Sequence, residues 1–369
     1  MTKLLIPLYK PYISKKEILN VNNCLNSTWI SSKGKYINIF EKKFSEYTKI
    51  KYSTAVVNGT CALHLALLSI GIKQNDEIIV PTFTYVATVN SISYLNAKPV
   101  FIDSSLKDWQ MDVDLLEKKI TKKTKAIICP HIYGQMTNME KLLKLKKKYK
   151  IYLIEDCAES IGSYYKKIHS GNFGDVAIFS FYGSKTITTG EGGMLCTNNK
   201  TLIKKAIKMK LQGIYSNKVS YWHDVIGYNY KMTNICAAIG AGQLERIKST
   251  LKKKRELYQK YRKYLKKLPL KFQQENNSTV NSFWLISALT KNGSTRNKLM
   301  KYLKQNGVET RPGFYPVHTM PMYKNKNIPK LPIANKLSNS VICFPSWPEM
   351  TNGQLNIICN LIKKFFKKK

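Results

Sequence analysis

From about residue 50 to residue 200, short continuous apolar runs alternate with amphipathic stretches. Glu77-Ile78-Ile79-Val80 reads as a buried strand, Thr84 to Leu95 as a helix, and Lys98 to Asp103 as the next strand. Ala126-Ile127-Ile128-Cys129 is another strand, followed by a turn through Gly134. Met139, Leu142, Leu143 and Leu145 then mark one face of a lysine-rich helix. Ile151 to Ile154 is a further strand and ends at Glu155-Asp156. Strands without polar alternation need cover on both faces, so repeated β-α-β units of this kind predict a mostly parallel α/β sheet. Ligands of such sheets gather beyond the carboxyl ends of the strands.

Near residue 245 the texture changes. Glu245 to Lys267 is highly charged and predicts one long helix with Ile247, Leu251, Leu257 and Tyr261 on its apolar side. Strand-like pieces at Ser282 to Leu289 and Val308 to Arg311 flank a helical stretch at Thr295 to Gln305. The expected division is a large α/β domain over residues 1–245 and a smaller α+β domain over 246–369. The Lys363 to Lys369 run reads as a frayed, solvated helix end.

Composition narrows the class. The 369 residues, 43% hydrophobic, suffice for a large core, and no run of eighteen apolar residues suggests a membrane span. The first sixteen residues carry no apolar core or cleavage site of a secretory signal, so a cytoplasmic location is expected. Cys24, Cys61, Cys129, Cys157, Cys196, Cys236, Cys343 and Cys359 include no C-x-x-C pair and read as reduced, buried thiols. The net charge of +39 raises nucleic-acid binding as a competing reading. Yet the cations are almost all lysine, the arginines being Arg246, Arg255, Arg262, Arg296 and Arg311, whereas bidentate phosphate and base contacts favour arginine. Enrichment in Asn, Ile and Tyr as well as Lys fits an AT-rich genome.

Against this lysine background one lysine stands out. Lys185 lies in a short polar turn between the apolar runs Val176 to Phe181 and Met194 to Thr197, with Gly190, Gly192 and Gly193 behind it. Asp156 closes its strand twenty-nine residues earlier. A lysine that can bond an aldehyde and an acid that can hold a pyridinium are the two groups pyridoxal phosphate requires. Asn58-Gly59-Thr60, leading into an apolar helix, offers the phosphate a helix N-terminus, and Ser180 can add a hydroxyl.

With Asn58-Gly59-Thr60, Pro81 to Tyr85, Glu155 to Glu159, Phe179-Ser180-Phe181 with Lys185, and Gly227 to Met232 in place, the chain resembles the DegT/DnrJ/EryC1/StrS sugar-nucleotide aminotransferases over almost its whole length. Ser27 to Gly34, Lys185 to Met194, Tyr221 to Tyr230 and Glu309 to Pro321 are similar to the perosamine-forming branch. The resemblance implies the pyridoxal-phosphate fold type I, as in aspartate aminotransferase. It implies that Lys185 bonds the cofactor and moves the substrate proton, that Asp156 faces the ring nitrogen, that Tyr85 stacks on the ring, and that Glu159 lies near its phenolic oxygen. Gly59, Thr60 and Ser180 would hold the phosphate. Asn229 would reach the phosphate of a second subunit, which implies a homodimer with shared sites. Trp29, Ser31, His223, Arg311, Tyr315 and His318 are candidates for the nucleotide-sugar or amino-donor side. L-glutamate is the implied donor, and GDP-4-keto-6-deoxy-D-mannose the implied acceptor at C4. A UDP- or dTDP-linked 4-keto-6-deoxyglucose is the alternative. Lys231 departs from the family's arginine, keeping the charge and losing the planar fork. Glu159 stands where many members carry glutamine or histidine, and perosamine-type members share it.

Overall fold

The computed structural model describes residues 6–214, 221–275, 278–326 and 328–367. Seven strands build the central sheet: β1 (Tyr52–Val56), β2 (Glu77–Pro81), β3 (Lys98–Ile102), β4 (Thr124–Pro130), β5 (Tyr152–Asp156), β6 (Val176–Ser180) and β7 (Gly193–Thr197). Their order is β1-β7-β6-β5-β4-β2-β3. The pairs from β3 through β6 are parallel, while β7 runs antiparallel to both β1 and β6. Ile78, Ile79, Val80, Ile127, Ile128, Leu153 and Ile154 are fully buried, as strands sandwiched between helical layers must be.

The predicted strands and helices of this region are present, with ends shifted by a few residues. The helix read over Thr84 to Leu95 runs Val86–Ser93, and the lysine-rich helix runs Met139–Tyr149. The helix read over Glu245 to Lys267 is one helix, Ile247–Tyr264. It starts after Arg246, whose backbone leaves helical geometry (φ −107°, ψ 10°) and separates it from the helix Asn234–Glu245. The Arg246 guanidinium donates to Glu17 Oε1 at 3.0 Å and to the Tyr12 carbonyl.

A second, four-stranded antiparallel sheet is ordered Lys271–Phe272, Ile286–Leu289, Val341–Phe344, Arg311–Pro312. Helices Gly293–Gln305, Asn352–Lys367 and Ile247–Tyr264 enclose a core with it, including Leu299, Ile342, Phe344 and Ile358. The strand expected over Ser282 to Leu289 is shorter because Asn281 to Leu285 turn inward instead of pairing; Phe283 takes a positive φ of 50°. The terminal helix is not frayed as far as Lys367: Phe365 and Phe366 pack on this core, and only residues 368–369 of the terminal lysine run lie outside the described residues. The N-terminal segment joins the same body, since Ile6 N donates to Gly307 O at 3.0 Å and Leu8 N to Glu309 Oε2 at 2.8 Å. Among the described residues, no helix is long and apolar enough to cross a membrane.

Candidate active site

β5 and β6 end side by side, which sets Asp156 beside the turn that leaves Ser180. That turn is held by Lys185 N donating to Tyr182 O and Thr189 N to Phe181 O, each at 2.9 Å. It projects Lys185 into a cavity of about 540 Å³ between the large sheet and the second body. Glu155 and Asp156 are neighbours on β5 and face opposite ways. Glu155 accepts from the amides of Gly171, Phe173 and Gly174 and lies 3.1 Å from His131 Nε2. Cys157 completes a tight buried group with them, but the carboxylate is already saturated by hydrogen bonds, and its role is structural.

Asp156 Oδ2 accepts from Thr88 Oγ1 at 2.7 Å, and Oδ1 from Ala158 N at 3.1 Å. Burial raises its carboxyl above the usual range, and these two donors and the nearby Lys185 charge hold it back. Lys185 Nζ is 3.7 Å from Glu159 Oε1. Burial lowers the Lys185 ammonium below its ordinary value, opposed by Glu159 and Asp156. Burial likewise pushes Glu159 up to about 7, against the pull of Lys185 and the amide of Tyr133, which donates to Oε2 at 2.7 Å. The result is two buried acids and one buried amine side by side, with burial moving the lysine down and Glu159 up.

The opposite end of the cavity is a phosphate cradle. Asn58 caps helix Gly59–Ser69 by accepting from Cys61 N. A Cβ on Gly59 would lie 2.9 Å from Ser180 Cβ, and one on Gly193 would lie 2.6 Å from Asn58 C and O. Glycine at both places lets the chain segments close to backbone contact, which leaves amide donors and the Ser180 and Thr60 hydroxyls near one helix N-terminus. An aldehyde-reactive lysine, a buried acid and this anion cradle line a single cavity, and pyridoxal phosphate fits them.

The cavity brings together Gly59, Thr60, Tyr85, Asp156, Glu159, Ser180, Lys185, Arg311 and Tyr315. It does not include the other sequence candidates. His318 is turned away, with its Nδ1 2.7 Å from Thr82 Oγ1 and its own amide donating to the same oxygen. Trp29 and Ser31 are exposed, and their carbonyls accept from Asn234. His223 is tied to Gln212 O, and Asn229 is exposed and bridged to Leu211. Lys231 is bridged to Val56. Sequence reasoning missed Thr88, His131, Tyr133, Glu191, Trp284 and Phe314, all of which line or support the cavity. Tyr133 stacks on Phe314 (5.4 Å, 9°) and on Trp284 (6.3 Å, 20°), which makes an aromatic wall. No spacing marks these residues, because their partners lie far along the chain: Thr88 meets Asp156 within the large body, and Tyr133 meets Trp284 and Phe314 across the two.

A lysine, a buried acid and a glycine-lined helix N-terminus share one cavity on this α/β sheet, and the protein is a pyridoxal-phosphate-dependent aminotransferase. Residues 11–363 match the DegT/DnrJ/EryC1/StrS aminotransferase family, and the chain belongs to it. It is 50% identical over 364 residues to a GDP-perosamine synthase of Escherichia coli O157:H7, covering 99% of each chain. It is 46% identical to a GDP-perosamine synthase of Vibrio cholerae, over 98% of this chain and 99% of that one. Helicobacter pylori PseC, described as an aminotransferase involved in the biosynthesis of pseudoaminic acid, superposes with a TM-score of 0.93 at 25% identity, over 99% of this chain and all of its own.

Proposed function

We propose that the chain transfers the amino group of L-glutamate to C4 of GDP-4-keto-6-deoxy-D-mannose, giving GDP-perosamine. The observation that carries the reading is the meeting of Lys185, Asp156 and Glu159 in one cavity, in a chain half identical to a relative of that name. Pyridoxal phosphate, when bound, supplies an aldehyde for the amine and an electron sink for the carbon that loses its proton.

The chain's own residues do the rest. Asp156, whose charged form Thr88 and Ala158 favour against the effect of burial, would hold a proton on the ring nitrogen. Ser180, Thr60 and the amides at Gly59 orient the phosphate. Tyr85 covers one face of the ring, and Ala158 lies on the cavity wall with it. Lys185, freed of the cofactor, would carry a proton between the substrate carbon and the aldehyde carbon of the cofactor, and its burial, which lowers its basicity, helps it to release that proton again. Arg311 and Tyr315 at the mouth are placed for the anionic part of a nucleotide sugar or the donor carboxylate. One site serving donor and acceptor in turn gives ping-pong kinetics. Asn229, Trp29, Ser31 and His223, turned away from the cavity of their own chain, would serve the cavity of a second copy in a cytoplasmic homodimer. Sedimentation of the cofactor-loaded enzyme tests that, and a catalytically competent monomer would refute it.

The substrate test is spectroscopic. Glutamate should bleach the visible band of the loaded enzyme. The GDP-linked 4-keto sugar should restore it faster than its UDP- or dTDP-linked counterparts. Restoration by a UDP or dTDP sugar alone would replace this substrate with a viosamine-type one. No bleaching by glutamate would remove the donor.

A further inference from the structure

Trp284 is buried and comes from the second body, a hundred residues beyond the lysine turn. Its Nε1–H donates to Ser184 O at 2.8 Å, and the centroid of its ring lies 3.9 Å from Lys185 Nζ. From the other end of the chain, Tyr9 OH donates to Lys185 O at 2.7 Å. The lysine's own carbonyl and the one before it are therefore each held by an aromatic side chain, the half-buried Tyr9 and the buried Trp284. Tyr133 backs Trp284. The charged groups facing Lys185 are Glu159 at 3.7 Å, Asp156 on β5 and Arg311 from the second body, with Glu191 on the same cavity wall.

We propose that Trp284 is a positioning residue for Lys185: its N–H fixes the turn, and its ring face receives the lysine ammonium whenever that lysine is not bonded to the cofactor. A cation over a buried indole is attracted to the ring quadrupole, and the ring offers no lone pair of its own to capture the proton. The free lysine is thus kept close to the reacting carbons with its proton available. This rests on the aminotransferase reading for its purpose, but the contact itself is testable without turnover.

The experiment uses the full-length chain before cofactor loading. Lys185 is acetylated by a limiting amine-reactive ester across a pH series and read by peptide mass spectrometry. Trp284→Leu keeps an apolar wall and removes the quadrupole, so the labelling midpoint of Lys185 should fall by about 1 pH unit. Trp284→Phe should recover more than half of that fall, and surface lysines such as Lys125 should not change. An unchanged or higher midpoint in Trp284→Leu overturns the proposal. Should that variant fail to fold, the wild-type chain still decides. Tryptophan emission should titrate with the Lys185 midpoint, and Lys185→Met should abolish that titration. Emission that does not follow Lys185 also overturns it. Failure of glutamate to bleach the loaded enzyme, with the labelling result intact, would instead strike the aminotransferase reading alone.

Discussion

Thr88 Oγ1 donates to Asp156 Oδ2 at 2.7 Å across sixty-eight residues of sequence, the shorter of the two hydrogen bonds given to this buried acid. Asp156 is buried, which raises its carboxyl, and the Thr88 hydrogen bond opposes that rise. Thr88 therefore helps to keep the charge on which a protonated ring nitrogen depends.

Thr88→Val preserves shape and removes the donor. Cofactor affinity should drop about tenfold, since an unpaired buried acceptor costs on the order of 1–3 kcal/mol. Thr88→Ser should stay near wild type. Titration of the cofactor-free chain by visible absorbance measures both, and equal affinity for Thr88→Val would show the hydrogen bond to be idle.

Glu159 gives a pH signature. Its folded value of about 7 lies above that of an unfolded glutamate. Between the two the native state binds more protons, so the stability of the cofactor-free chain should decrease as pH rises from about 4.5 to 7. Glu159→Gln should flatten that slope, with a difference on the order of 1–3 kcal/mol at the upper end. Denaturant unfolding at several pH values reads it. Parallel curves for the two proteins would place the titration elsewhere.

The cradle predicts a compensating pair. Gly59→Ala sets a Cβ 2.9 Å from Ser180 Cβ and should cost about tenfold or more in cofactor affinity. Adding Ser180→Gly removes the clashing atom. The double variant should then lose less than the sum of the two single variants, because the residues share one contact. Simple additivity in equilibrium binding would show that the clash is not what Gly59 avoids.

Arg311 should matter for substrates rather than for the cofactor. Arg311→Lys keeps the charge but loses the planar fork. KM for the anionic partner it clamps should rise about tenfold, with little change in cofactor affinity. Separate KM values for glutamate and for the nucleotide sugar identify that partner. Equal values for wild type and Arg311→Ala would exclude a clamp.

The large sheet was readable because its strands are unbroken apolar runs. Ile78 to Val80 and Ile151 to Ile154 could be buried in no other common way. Lys185, Asp156 and Gly59 were also readable, since strand ends and a glycine before a helix leave local marks. Trp284 and Thr88 leave none. Trp284 sits in an apolar run that reads as strand, and Thr88 in a short helix, and each acquires its role from a partner far along the chain. The charged stretch beyond Arg246 was readable as a single helix, and only its start, Ile247 rather than Glu245, carries no mark in the charge pattern. The candidates Trp29, Ser31, His223 and Asn229 are exposed and lie outside the cavity of their own chain.

The placement of β7 between β1 and β6 sets an order of events during synthesis. Gly193 pairs with Val56 on one side and Ser180 on the other, and so draws Gly59 against Ser180. A nascent chain released after β6 would hold both halves of the phosphate cradle without the strand that joins them. Ribosome-bound fragments should therefore gain no affinity for the cofactor until β7 has left the exit tunnel. Cofactor capture would then report that the sheet has closed.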